Sequence, residues 1–136
     1  MATFQLELVS PEKLLLSRQV DMVIIPAAEG EMGVLPGHSP MIVALAGGAI
    51  RVQENGQWTD SLFVAGGFAE VTVDRVTVLA DEATPLDQLS RAVAEQRIAE
   101  AEAAYGETAT ETPEKRDAAM ARLLSARTMA TLAGAA

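Results

Sequence analysis

The stretch Phe68-Ala-Glu-Val-Thr-Val-Asp-Arg-Val-Thr-Val-Leu-Ala-Asp-Glu-Ala-Thr-Pro-Leu-Asp87 decides the fold, because two structural alphabets meet inside it. Its first part, Phe68 to Val73 and Val76 to Leu79, alternates side chains with the period of two of strands whose faces meet different surroundings. Asp74-Arg75 reads as the turn between them. Beyond Pro85 the residues become Ala, Glu, Gln and Arg, strong helix formers, and no glycine occurs until Gly106.

Upstream of that switch the same strand pattern recurs in short runs: Phe4 to Val9, Leu14 to Val20, Met22 to Ile25, Met41 to Leu45, Ala49 to Gln53 and Trp58 to Val64. Asn55-Gly56 supplies the two positive-φ positions of a type I′ hairpin turn. The expectation is an all-β N-terminal domain over residues 1–85, an antiparallel β-sandwich of about ten short strands. A C-terminal α-helical hairpin follows over 86–136.

In the hairpin, Thr84-Pro-Leu-Asp87 matches a capping box, and Thr112-Pro113-Glu114 places a capping hydroxyl, a first-turn proline and an early carboxylate in order. Helices are predicted over about 87–104 and 113–132, antiparallel across the polar link 105–112. Their contact residues are mostly alanines, with Leu89, Val93, Ile98, Met120, Leu123, Leu124 and Met129. So narrow an apolar stripe predicts weak docking on the sandwich.

Ten Lys and Arg against nineteen Asp and Glu give a net charge of −9. A body this acidic repels phosphate backbones, which excludes a generic nucleic-acid binder. The charge is unevenly spread: residues 1–86 carry −7, 87–112 carry −4, and 113–136 carry +2. The absence of cysteine removes thiol nucleophiles, disulfides and cysteine-ligated metals, and the lone His38 cannot make a two-His metal motif. No apolar run is long enough to span a bilayer, and the start lacks the features of a signal peptide, so the chain is expected to stay in the cytosolic compartment.

The densest motif is Gly30-Glu-Met-Gly-Val-Leu-Pro-Gly-His-Ser-Pro40. It has neither the Gly-Lys-Ser/Thr of a phosphate loop nor the glycine spacing of a dinucleotide fingerprint, and it reads as a rigid, ordered binding loop. His38 beside Ser39, with Glu29 or Glu31 to orient the ring, is a formal hydrolase arrangement, but sequence neighbours rarely have triad geometry. Glu29 and Glu31 as an acid/base pair are weighed against two solvated carboxylates. Asp87, Arg91, Arg97, Lys115, Arg116, Arg122 and Arg127 form either an anionic-ligand site between paired helices or an i,i+4 pair, Asp87 with Arg91, beside a solvated basic face.

The segments Val9-Ser-Pro-Glu-Lys13, Gly30 to Pro40, Val64-Ala-Gly-Gly-Phe-Ala-Glu-Val71 and Val76-Thr-Val-Leu-Ala-Asp81 resemble the epsilon subunits of bacterial F-type ATP synthases over the whole chain. The resemblance implies a non-catalytic central-stalk subunit that rotates with gamma, sits on the c ring, couples proton flow to ATP synthesis and regulates ATP hydrolysis through its hairpin. It implies a c-ring interface at Glu29, Gly30, Glu31 and Met32, and a gamma interface at His38, Ser39, Pro40, Met41 and Ile42. Arg116, Arg122 and Arg127 would reach the alpha and beta catalytic subunits when the hairpin extends. It further implies a peripheral location on the cytoplasmic face of the bacterial inner membrane, with membrane contact only through the complex.

Many members bind ATP through Leu/Ile-Asp-x-x-Arg-Ala, whereas here three residues separate Leu86-Asp87 from Arg91-Ala92, and alignment on the latter puts Gln88 where the aspartate belongs. Asp87 and Arg91 are therefore candidates for a weak or absent ATP site, and no cofactor is expected. The competing reading is a free-standing β-sandwich binding module with a helical partner-docking appendage.

Overall fold

Alternation places Phe4, Leu6 and Leu8 on one face of their strand, and Val76, Val78 and Ala80 on one face of theirs, all of them buried. The computed structural model, which describes residues 2–135, joins ten such strands into one sheet. They are β1 (Phe4–Val9), β2 (Leu14–Val20), β3 (Met22–Ala27), β4 (Gly30–Val34), β5 (Met41–Leu45), β6 (Gly48–Glu54), β7 (Gln57–Val64), β8 (Gly67–Val71), β9 (Arg75–Ala80) and β10 (Ala83–Pro85). The order across the sheet is β10-β7-β6-β3-β5-β8-β9-β1-β2, with β4 on the free side of β3.

The sheet curls on itself. Every strand from β1 to β9 contributes to a single core that includes Leu6, Ile25, Ile50, Val64 and Val78. β3 joins the halves: Met22 to Ile24 pair with β6, while Ala27 pairs with Leu45 of β5. The far ends are drawn together by Arg18 of β2, which bonds Asp60 of β7 and lies 3.5 Å from Glu54 of β6.

All pairings are antiparallel except that of β1 with β9, which is parallel. The expected antiparallel sandwich has this one parallel join, because closing the curl sets the first strand between its hairpin neighbour β2 and the ninth strand. A second correction concerns Gly30 to Val34, read from its glycines as a loop. It is β4, paired with β3 from Val23↔Val34 to Ala27↔Gly30. The Asn55-Gly56 turn has φ of 53° and 77° as expected. The last hairpin turns at Val73-Asp74, Arg75 being already in β9, and the Thr72 amide donates to the Arg75 carbonyl at 2.8 Å.

After β10 the chain makes a 3-10 turn (Leu86–Gln88) and then α1 (Arg91–Gly106) and α2 (Pro113–Ala135). The capping residue of α1 is Ser90, whose hydroxyl accepts from the Val93 amide at 3.3 Å, and not Thr84, which lies in β10. Helix geometry thus begins four residues later than predicted. Thr112 caps α2 as expected, accepting from the Lys115 amide at 3.4 Å. The helices pair along small residues: Ala94, Ala101, Ala119 and Ala126 are buried, as are Leu123 and Met129. Val93 and Leu124, expected among the contacts, are exposed instead.

Gly67 has a φ of +126°, and a Cβ there would meet the Leu79 carbonyl oxygen and come within 3.0 Å of Ala80 Cα. Gly67→Ala is therefore expected to destabilise the chain by about 1–3 kcal/mol from backbone strain alone. An unchanged denaturation midpoint would contradict this close approach of β8 to β9.

Candidate functional site

Because alternate residues of β5, β8, β9 and β1 fill the core, the remaining ones must face outward. The register aligns Ala44 with Phe68, Phe68 with Leu79, Leu79 with Val9, and Val9 with Leu14. The result is an apolar row across five strands in which Phe68 is 58%, Leu79 53% and Leu14 57% exposed. Ile42, two residues from Ala44 on the same face, is 76% exposed and extends the patch. The neighbouring row, Ile42, Glu70, Thr77 and Glu7, adds two carboxylates. Large apolar side chains grouped on a sheet's outer face mark an interaction surface.

The expected residues His38 to Ile42 adjoin this row. Their loop is held by the Gly37 amide, which donates to the Val73 carbonyl at 3.0 Å. His38 Nδ1 donates to the Ser39 carbonyl at 3.0 Å, so the ring is engaged with the backbone of its neighbour rather than with the Ser39 hydroxyl, and no triad geometry is assembled. Of this outer face the sequence reading named Ile42, while Met41 aligns with the inward Val71, and Phe68, Leu79, Val9 and Leu14 were not among its candidates. The signal was present: alternation that turns Ala69, Val71 and Val78 inward must turn Phe68 and Leu79 outward.

Glu29, Gly30 and Glu31 form the exposed tip of the β3–β4 hairpin, while Met32 is half-buried against the core. Among the described residues, no group of three or more His, Asp or Glu side chains could hold a metal ion.

The seven charged residues considered as one anionic site are dispersed. Asp87 lies in the 3-10 turn, off α1, and Arg91 pairs with Glu95 at 3.4 Å rather than with Asp87. Arg97 pairs with Glu82 at 2.7 Å, Lys115 with Glu111 at 3.4 Å and Arg127 with Glu102 at 3.6 Å. Arg116 and Arg122 make no ion pair among the described residues. A cleft of about 730 Å³ opens between hairpin and sandwich, and its charged lining is Asp81, Glu82 and Glu100 against Arg97 and Arg122. That lining is net negative. Among the described residues no helix is long and apolar enough to cross a membrane.

Comparison with known proteins agrees with this architecture. The family described as "ATP synthase, Delta/Epsilon chain, beta-sandwich domain" matches residues 3–86. The chain is 60% identical over 129 residues to the ATP synthase epsilon chain of Granulibacter bethesdensis, covering 95% of this chain and 96% of that one. It is 44% identical over 134 residues to the epsilon chain of Gluconacetobacter diazotrophicus, covering 98% and 95%. Among solved structures, a chain of the Euglena gracilis mitochondrial ATP synthase OSCP/F1/c-ring assembly superposes with a TM-score of 0.75 at 27% identity, covering 96% of this chain and 81% of that one. A chain from the central stalk and c ring of the Tetrahymena thermophila mitochondrial enzyme shares the fold, with a TM-score of 0.67. The chain belongs to the ATP synthase epsilon-chain family.

Proposed function

We propose that this chain is a non-catalytic rotor subunit in the central stalk of a proton-translocating F-type ATP synthase, coupling c-ring rotation to ATP synthesis. The observation that carries the reading is the apolar row Ala44, Phe68, Leu79, Val9 and Leu14, continued by Ile42, in which the large side chains Phe68, Leu79, Leu14 and Ile42 stay exposed among the described residues. A rotor subunit transmits torque only if it is fixed to its neighbour, and a flat apolar patch of this kind supplies that fixation by burial. The gamma subunit is the proposed occupant, touching His38, Ser39, Pro40, Met41 and Ile42 along the adjoining loop and strand. The nearby Glu70 favours a partner face that presents a cation beside its apolar residues, Glu7 being already 3.9 Å from Arg75.

The exposed acidic turn Glu29, Gly30, Glu31, with Met32 at its base, is proposed to meet the c ring. Placement on the cytoplasmic face of a bacterial inner membrane follows from that contact, the membrane being reached only through the complex. The hairpin is proposed to regulate ATP hydrolysis by extending toward the alpha and beta subunits, with Arg116, Arg122 and Arg127 as its contacts. Among the described residues Arg116 and Arg122 make no ion pair in the folded-back state, and Arg127 has an exposed one, so little electrostatic energy opposes their redeployment.

The patch is tested by Phe68→Gln combined with Leu79→Gln. Since both side chains are solvated in the isolated chain, its stability should change by no more than about 0.5 kcal/mol per substitution. Association with gamma should weaken at least about tenfold, or roughly 1.4 kcal/mol. Undiminished binding would move the gamma interface elsewhere.

Truncation after Pro85 should leave assembly on gamma intact and raise the ATP hydrolysis rate of the reconstituted complex. An unchanged rate would leave the hairpin without a braking role. The position of Asp87 off the helix that carries Arg91, and the net negative lining of the cleft, support the reading of a weak or absent ATP site. Calorimetric titration of the isolated chain with ATP should give a Kd weaker than about 1 mM, and a tight stoichiometric complex would refute this.

A further inference from the structure

Gly47, between β5 and β6, is a glycine whose need for glycine arises outside its own backbone. Its φ is not positive, unlike those of Gly66 and Gly67, so its conformation admits other residues. A Cβ there would nevertheless lie 2.6 Å from Ser125 Cβ and 2.8 Å from Ser125 Cα, too close for any real contact. Ser125 belongs to α2. Gly33 and Gly48 are also crowded, but by Met22 and Pro26 of the sandwich itself, and among the described glycines the hairpin imposes the restriction at Gly47. Side-chain rotation cannot relieve a clash with Cα, so a larger residue must displace the helix.

Two further contacts surround this one. Phe63 points away from the sandwich core and is fully buried against Ala94 and Met129 of the hairpin. Arg97 of α1 meets Glu82, just after β9, at 2.7 Å. Around Phe63 and Met129 the half-buried Ala65, Leu86, Leu89, Ala130 and Leu132 complete the apolar contact between hairpin and sandwich.

We propose that Gly47 is the seat of a latch, at which Ser125 docks, that sets the folded-back position of the helical hairpin. The apolar anchor Phe63 with Met129 and the ion pair Glu82 with Arg97 complete it. The latch deepens the proposed regulatory role of the hairpin and rests on the hairpin's being a movable element.

Because the chain contains no cysteine, Ser125→Cys introduces a unique thiol at the docked position, and its rate of maleimide labelling reads undocking directly. In the full chain with Gly47, labelling should be at least about tenfold slower than that of an exposed thiol. Adding Gly47→Val should restore most of that factor while the amides of β8 and β9 keep their hydrogen-exchange protection. Labelling that is already fast with Gly47, or that Gly47→Val changes by less than about twofold, overturns the latch. If Gly47→Val exposes the β8 and β9 amides as well, Met129→Ala decides. That change lies on α2, outside the sandwich core, and does not lower helix propensity, so faster labelling supports the latch and unchanged labelling overturns it.

Hydrolysis by the reconstituted complex reads the brake separately. Faster labelling with unchanged hydrolysis keeps the latch and removes the proposed brake. Unchanged labelling removes the latch whatever the hydrolysis rate.

Discussion

Strand alternation around a single filled core is the constraint on which the rest of the molecule depends. With Leu6, Leu8, Ile25, Ile50, Val52, Val64 and Val78 all turned inward, no room remains inside, and every intervening side chain is committed to the outer surface. Two phenylalanines illustrate the consequence. Phe63 and Phe68 both sit at outward positions, five residues apart on successive strands. Phe63 is fully buried because the hairpin lies over it, whereas Phe68, over which no described residue lies in the same way, is 58% exposed. One outer patch is thus closed from within the chain, and the other stays open to solvent.

This division explains why the fold was more legible in the sequence than the site. Periodicity and turn chemistry located β1, β2 and β5 to the residue and the neighbouring strands to within one or two, since each run owes its identity to local alternation. β4 escaped because Gly30 and Gly33 lower its strand propensity, and its pairing comes from β3, a tertiary partner that outweighs local preference. The parallel join of β1 to β9 escaped for a related reason: strands 66 or more positions apart carry no local mark of their pairing. The start of α1 was misplaced by a capping pattern at Thr84 that β10 pre-empts, leaving Ser90 to cap the helix.

For the site, the resemblance pointed to contiguous segments, Glu29 to Met32 and His38 to Ile42, because motifs are read along the chain. The outer row is built across it. Val9, Ala44, Phe68 and Leu79 become neighbours only once the register of four strands is known, although each was individually predictable as outward-facing. Conversely, the basic character of the second helix was plain in the sequence, but its neutralisation was not. Arg127 meets Glu102 of the acidic first helix, so part of the charge complementarity expected with an outside partner is already met inside the hairpin.

The energetics of the hairpin depend on which residues it buries. An alanine methyl removed from water contributes about 0.8 kcal/mol, so a seam built on Ala94, Ala101, Ala119 and Ala126 holds the two helices together modestly. Exposed ion pairs such as Arg127 with Glu102 and Lys115 with Glu111 add at most about 1 kcal/mol each and weaken with salt. Burial of Phe63 and Met129 contributes roughly 1.5–3 kcal/mol per side chain and is the largest single stake in docking on the sheet. Detaching the hairpin therefore uncovers one aromatic patch and breaks one close ion pair, while the separate core of the sandwich keeps all its contacts. Docking of the hairpin and folding of the sandwich thus rest on separate sets of buried residues.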